Sequence, residues 1–562
     1  MKMVIARKLA FIIILLLPAA LVLAEFQREE NGMVSSRSDI ASEIGKDILE
    51  QGGNAVDAAV AVGFALAVSY PSAGNIGGGG FLVLRTADGE VYTQDAREKA
   101  PLAASRDMFL DSNGDFDRQL SRNSLQATGV PGSVAGLLDA LERFGTMSRQ
   151  EVLAPAIKLA EEGILLNADL AGQFQNNLAG FQQYPASLEK FSNNGEAYQD
   201  GDLWQQPELA TTLKLISEYG RDGFYKGPVA ELLVTTMQAN AGLITHQDLE
   251  NYEPVWREPI HGNYRGYDIW SMPAPSSGGV LLVQMLNMLE ANDLSELGWG
   301  SAETVHLMVE AQRRAYADRA EHLGDPDFYD VPTAMLTSKQ YAQERFANFD
   351  PEAASLSDDI GAGSWPQESM QTTHYSIIDG DGNAVAVTTT LNASYGNKFV
   401  VPGAGFLLNN EMDDFSSKPN TANGFGLLGG VANEIQPSKR MLSSMTPTII
   451  THDDNVFLVT GSPGGSTIIN TVLQVIVNAI DHNMSIADAV GSPRFHHQWQ
   501  PNIIRYETGA ISNQTIDELR SMGHQGLSRS RFPLGDANSI MLFNNVLEGV
   551  SDPRNEGGVA GF

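Results

Sequence analysis

Threonine, rather than histidine or cysteine, carries the chemistry that this sequence offers. Residues 368–392, ESMQTTHYSIIDGDGNAVAVTTTLN, pass from a polar run into strand-like alternation at the pair Thr372 and Thr373. They turn on Asp379-Gly380-Asp381-Gly382-Asn383 and alternate again into Thr388, Thr389 and Thr390. A threonine hydroxyl within a chain is a weak nucleophile unless a base removes its proton. If the chain is cut before Thr372, the new α-amino group lies beside that hydroxyl. Its ordinary pKa of about 8 lets it act as base near neutral pH. Nucleophile and base then belong to one residue. On this stretch alone, threonine as a good strand former explains the same pattern.

Other motifs fail on spacing. The run NIGGGGF does not fit G-x-G-x-x-G, and no G-x-x-x-x-G-K-[ST] occurs, so a phosphate cradle is missing. A calcium loop begins at Asp111, Asn113 and Asp115, but Phe116 stands where glycine is needed and Arg122 where glutamate is needed. Ser133 in GVPGSVAG is close to a nucleophile elbow, yet Pro131 occupies the first glycine position. His496 and His497 are adjacent, and neighbours on a strand point to opposite faces, so they cannot share one ion. No metal and no cofactor is expected.

These residues must be positioned by a chain of 562 residues with a net charge of −32 and no cysteine. The negative field argues against nucleic acid and anionic membrane surfaces as partners. Absence of cysteine excludes disulfides and thiol chemistry, leaving Ser or Thr as nucleophile. Residues 1–24 read as a signal peptide: Lys2, Arg7 and Lys8, then an apolar run from Leu9 to Leu23, then a small-residue cleavage pattern ending at Ala24. Export to the periplasm, or secretion where there is no outer membrane, is the expectation, with no stable membrane anchor. A helix is expected from about Asp39 to the Gly52-Gly53 stop, and a second one capped by Asn54. Strands follow at Phe81–Leu84 and Glu90–Thr93, helical patterns dominate from Ser121 to about Phe349, and strands return from Thr372. Residues 351–371 are the most linker-like segment.

The segment TTHYSIIDGDGNAVAVTTTLN resembles the start of the small subunit of γ-glutamyltransferases (γ-glutamyltranspeptidases), which are N-terminal nucleophile hydrolases. GGNAVDAAVA, GNIGGGGF, DAREKAP, GVPGSVAG, RRAYADRAEHLGDP, LLNNEMDDFS, RMLSSMTPT, GSPGG and PRFHHQW are similar to family segments in family order. The resemblance implies an α+β fold, a four-layer αββα sandwich. A large subunit, 25–371, and a small subunit, 372–562, would form one structural unit after self-cleavage between Gln371 and Thr372. It implies that Thr372 is the nucleophile and that Thr390 orients it. Gly464 and Gly465 would form the oxyanion hole. Arg97, Ser443 and Ser444 would hold the substrate α-carboxylate, and Asn392, Glu411 and Asp414 would surround its α-ammonium. The implied substrates are glutathione and other γ-glutamyl compounds, with water, an amino acid or a peptide as acceptor. Phe425 stands about where lidded members carry a tyrosine, which leaves a hydrogen-bonded gate in doubt. Asp414 argues against the related glutaryl (cephalosporin) acylases. A non-catalytic γ-glutamyl-binding protein would need Arg97 and Asp414 but not Thr372, Thr390 or the paired glycines.

Overall fold

The computed structural model describes residues 25–360, 372–416 and 430–562; the leader, Gln371 and Phe425 lie outside them. Ser38 caps the helix Asp39–Glu50 by accepting from the Ala41 amide. Asn54 and Asp57 form a reciprocal capping box at the head of Ala55–Ser69. All residues of that second helix are buried, as befits a segment apolar all round. It can only lie inside a layer, covered by other helices on one side and a sheet on the other.

Two seven-stranded sheets, antiparallel throughout, form the centre. One is ordered Gly558–Gly561, Met33–Ser36, Thr373–Ile378, Ala384–Thr390, Gly79–Arg85, Val91–Ala96, Val255–Arg257. The other is ordered Phe26–Glu29, Val546–Val550, Ser539–Phe543, Asn455–Thr460, Thr448–His452, Tyr267–Ser271, Ile260–Tyr264. Val83, Ile378 and Ala386 of the first sheet pack against Ile449, Val459 and Ile540 of the second. Helices including Ala55–Ser69 cover the outer face of the first sheet, and Gly278–Leu289, Ala302–His322 and Thr467–Ile480 cover that of the second. The result is the expected four-layer αββα sandwich.

Helices dominate between Ser121 and Phe349 as expected, but the region also supplies the edge strands Val255–Arg257 and Ile260–Tyr264 and the next strand in, Tyr267–Ser271. Helical segments on either side hid them, although Arg265-Gly266 marks their hairpin turn with two positive φ angles.

Hairpin pairing sets Thr373 opposite Thr389 and, on the other side, Thr390 opposite Gly79. Thr372 therefore stands at the end of the strand, level with Thr390. The turn is closed by Asp379, which accepts from the amides of Asp381 and Asn383 and also from Ala55 at the head of the buried helix. At the other end, Asn75 donates to Thr389 Oγ1 and the Thr390 carbonyl while its Oδ1 accepts from Gly78 and Ser133. A Cβ at Gly78 would lie 2.1 Å from the Thr390 carbonyl oxygen, so the glycine run is what lets this loop touch the strand. Ser133 is thereby a structural hydroxyl.

Asn75→Ala removes several buried hydrogen bonds at once and is expected to lower stability by roughly 2–4 kcal/mol, whereas Ser133→Ala costs about 1 kcal/mol. Thermal unfolding of both variants checks this. A Ser133→Ala protein that melts like the wild type but has no turnover would contradict the structural role.

Candidate active site

Thr372 is the first described residue after the linker and is buried except for its face on a cavity of about 510 Å³ that it shares with Gly464. Its Oγ1 lies 3.5 Å from Thr390 Oγ1, and Thr390 Oγ1 accepts from the Asn392 amide at 2.8 Å. A hydroxyl can orient Thr372 but cannot deprotonate it. His374, two residues on, is no substitute: its ring nitrogens contact Thr388 and Ser376, and burial pushes its pKa down to about 3. The base must come from elsewhere, and an α-amino group on Thr372 itself is the simplest source.

Gly464 and Gly465 have φ of +133° and +56° and precede the helix Thr467–Ile480. Among the described residues neither amide N–H has a hydrogen-bond partner. A Cβ on Gly464 would meet Thr467 Oγ1 at 2.3 Å. Free amides at a helix N-terminus, on the wall of the cavity that holds a nucleophile, suit an oxyanion.

The second half of the site is a buried charge cluster. Arg97, far from the surface salt bridge that DAREKAP alone would suggest, is 1% exposed. It pairs with Glu411, with Asp414 at 2.5 Å and with Glu98 at 3.6 Å, and it donates to the Met441 and Leu442 carbonyls. Burial alone would lower the guanidinium pKa, but the three carboxylates outweigh it and hold Arg97 charged. Burial pushes Glu411 and Asp414 up against the opposing pull of Arg97, and Glu98 up to about 7. Three buried carboxylates crowd around Arg97, with Arg319 also acting on Asp414, and burial raises all three, so the cluster favours retaining a proton among Glu98, Glu411 and Asp414.

Asn392 Nδ2 donates to the Asn410 carbonyl, next to Glu411, and so ties the threonine end of the site to the carboxylates. Its Oδ1, like Glu411 Oε2 and both Glu98 oxygens, is buried without a partner among the described residues. Unfilled acceptors of this kind cost about 1–3 kcal/mol each, and an ammonium group, with three donors, suits a cluster that leaves such acceptors open.

Ser443 and Ser444 are buried beside the Met441 and Leu442 carbonyls that Arg97 touches. Ser443 Oγ accepts from the Met445 amide; Ser444 Oγ accepts from Arg319, whose Nε also reaches Ser277. The structure thus brings all of the anticipated site residues among those described into two adjoining groups. It adds Glu98 and Arg319, which had no spacing signal of their own. It also adds Arg37, Asp169 and Asp536 on the wall of the Thr372 cavity.

His496 and His497 are buried and neutral: burial and then nearby arginines lower both, and they contact Asn470, Gln498 and Asn502. His306, Glu310 and His524 converge more closely. Yet His306 bonds His524 and the Asp350 carbonyl, and Glu310 is engaged by Arg313 and Arg314, two charges that oppose a cation.

Comparison with known proteins places the chain in one family. The family model described as Gamma-glutamyltranspeptidase matches residues 41–562. A glutathione hydrolase proenzyme of Escherichia coli strain K12 is 49% identical over 530 residues, covering 94% of this chain and 91% of that protein. The crystal structure of Helicobacter pylori gamma-glutamyltranspeptidase is similar at 47% identity and a TM-score of 0.57, over 58% of this chain and 93% of that one. The cephalosporin acylase from Bacillus halodurans shares the fold over 100% of this chain and 99% of its own, with a TM-score of 0.85 and 25% identity.

Glu98 links the cluster to pH. Because its folded pKa is raised from 4.5 to about 7, its contribution to stability is complete below about 4.5 and is lost as pH rises through about 7. Glu98→Gln keeps shape without the proton equilibrium. The variant should therefore gain melting temperature relative to wild type between pH 5.5 and pH 8, by a few degrees; parallel curves would place the retained proton on another carboxylate.

Proposed function

Because the chain belongs to the gamma-glutamyltranspeptidase family, we propose that Thr372 is the nucleophile through which it works, freed by cleavage of the bond to Gln371. The activity is that of a γ-glutamyltransferase and glutathione hydrolase, made as a proenzyme and processed into subunits. The observation that carries the assignment is the position of the Thr372 hydroxyl between Thr390 and a cavity walled by Gly464, next to a cluster of unfilled buried acceptors.

In the reading proposed, a γ-glutamyl compound enters as a zwitterion and exchanges partners with the cluster. Its α-carboxylate takes Arg97 away from Glu411 and Asp414, aided by Ser443 and Ser444. Its α-ammonium takes the carboxylates so released, together with Asn392 Oδ1. The exchange conserves charge, so a buried site can accept a doubly charged ligand without stranding an ion. Thr372 Oγ then attacks the γ-carbonyl while the α-amine takes the hydroxyl proton, and the oxyanion points at the Gly464 and Gly465 amides. Collapse breaks the C–N bond, and the proton leaves with the amine, cysteinylglycine in the case of glutathione. Water or the amine of an amino acid or peptide next attacks the ester; the C–Oγ bond breaks, and the attacking group's proton returns to Thr372. The pattern of residues 1–24 supports a periplasmic or secreted location.

Thr372→Ala is expected to persist as a single polypeptide apart from any loss of the leader, whereas wild type gives two chains, one with Thr372 at its amino terminus. Denaturing electrophoresis with N-terminal sequencing decides; cleavage of the variant at the same bond would mean that a separate protease acts.

Asp414 generates a specificity test. A glutaryl amide lacks the α-ammonium and would leave the carboxylates unfilled, so wild type should prefer the γ-glutamyl amide by tenfold or more. Asp414→Asn should lower kcat/KM for the γ-glutamyl amide and narrow that preference. Equal losses on both substrates would remove Asp414 from ammonium recognition.

A further inference from the structure

The Arg97 cluster accounts for the γ-glutamyl half of the substrate but leaves the group on the far side of the scissile bond without a partner. That group must lie in the cavity shared by Thr372 and Gly464. Arg37 is the one cationic residue among those lining it. Arg37 is also only 7% exposed, and it is loosely held for a buried guanidinium. Its hydrogen bond to Asp169 is 3.4 Å long, and its Nε lies 2.9 Å from Asp536 Oδ2 without the alignment of a hydrogen bond. The guanidinium carbon lies over the Tyr70 ring, 5.1 Å from its centroid, and Tyr70 also engages Arg37 through its side-chain hydroxyl. Asp169 is about one-third exposed, at 35%, and Gln173 one turn along the same helix donates to it. An arriving anion could displace Asp169 toward solvent and keep the planar face of Arg37 on Tyr70.

We infer that Arg37 receives the terminal carboxylate of the peptide that leaves, or of the amino acid or peptide that accepts, the γ-glutamyl group. The inference rests on the assignment of Thr372 as nucleophile. A guanidinium suits this task because it presents two parallel donors to a carboxylate. Loss of such a contact costs tenfold or more in affinity. The arrangement parallels Arg97, which is likewise paired with acidic side chains and is likewise proposed to exchange two of them for a ligand carboxylate. The opposing influence is the negative charge of Asp169 and Asp536 on the same wall, which would favour amines without a carboxylate.

The test is transfer from γ-glutamyl-p-nitroanilide to glycylglycine and to glycylglycine amide, compared at equal concentrations of unprotonated amine. Wild type should show a KM for glycylglycine at least tenfold below that for the amide. Arg37→Gln should erase this ratio and Arg37→Lys should retain part of it, with melting curves showing that each variant is folded. A wild type that treats the two acceptors alike, or prefers the amide, overturns the inference even if no Arg37 variant folds. A folded Arg37→Gln protein with the ratio intact does so too. Failure of wild type to release nitroaniline at all would instead refute the assignment of Thr372, and Arg37 with it.

Discussion

One buried guanidinium facing three carboxylates is the constraint around which the rest of the site is arranged. Arg97 comes from the end of the strand Val91–Ala96, Glu411 and Asp414 from a short helical turn far along the chain, and the carbonyls it touches from the segment before Ser443. None of these groups could be removed from water alone. Together they are tolerable but unsatisfied, with acceptor atoms left open. Complete internal pairing would make a stable core and a poor binding site. The incomplete pairing is what the proposed exchange with a zwitterion would complete.

That cluster depends in turn on the hairpin. Thr372 and Thr390 meet because the turn at Asp379 sets the register, and Asn392 continues from Thr390 toward Asn410 and Glu411 with a φ of +73°. Asparagine is among the few residues that adopt this backbone conformation readily, and here its side chain also holds the Asn410 carbonyl beside Glu411. Under the proposed function, backbone geometry and ligand recognition fall to the same residue.

Much of this was legible in the sequence. Caps at Ser38 and Asn54, the turn at Asp379 and the threonine-ended strands are local signals, and local signals survive without tertiary knowledge. The three strands between Val255 and Ser271 were missed because their surroundings are helical. The motif-bearing residues could be assigned by resemblance, but their burial could not: Arg97-Glu98 reads like any exposed ion pair, and only the packed structure puts Glu98 out of reach of a donor. Arg37 sits in SSRSD with no spacing to mark it; its meaning comes from Tyr70, Asp169 and Asp536, which lie far apart in the chain.

The interleaving of the sheets bears on how the molecule ages. In each sheet, strands that precede Thr372 pair with strands that follow it: Met33–Ser36 lies between Gly558–Gly561 and Thr373–Ile378. Before processing, unfolding leaves one chain that can search for its own partners. If the chain is cut before Thr372, as proposed, the same event would release two chains, each with only part of each sheet, and recovery would become a meeting of two molecules in competition with aggregation. Cleavage there would make folding a one-way step, with the lifetime of the cut protein set by the rate at which it opens and no longer by an equilibrium to which it can return.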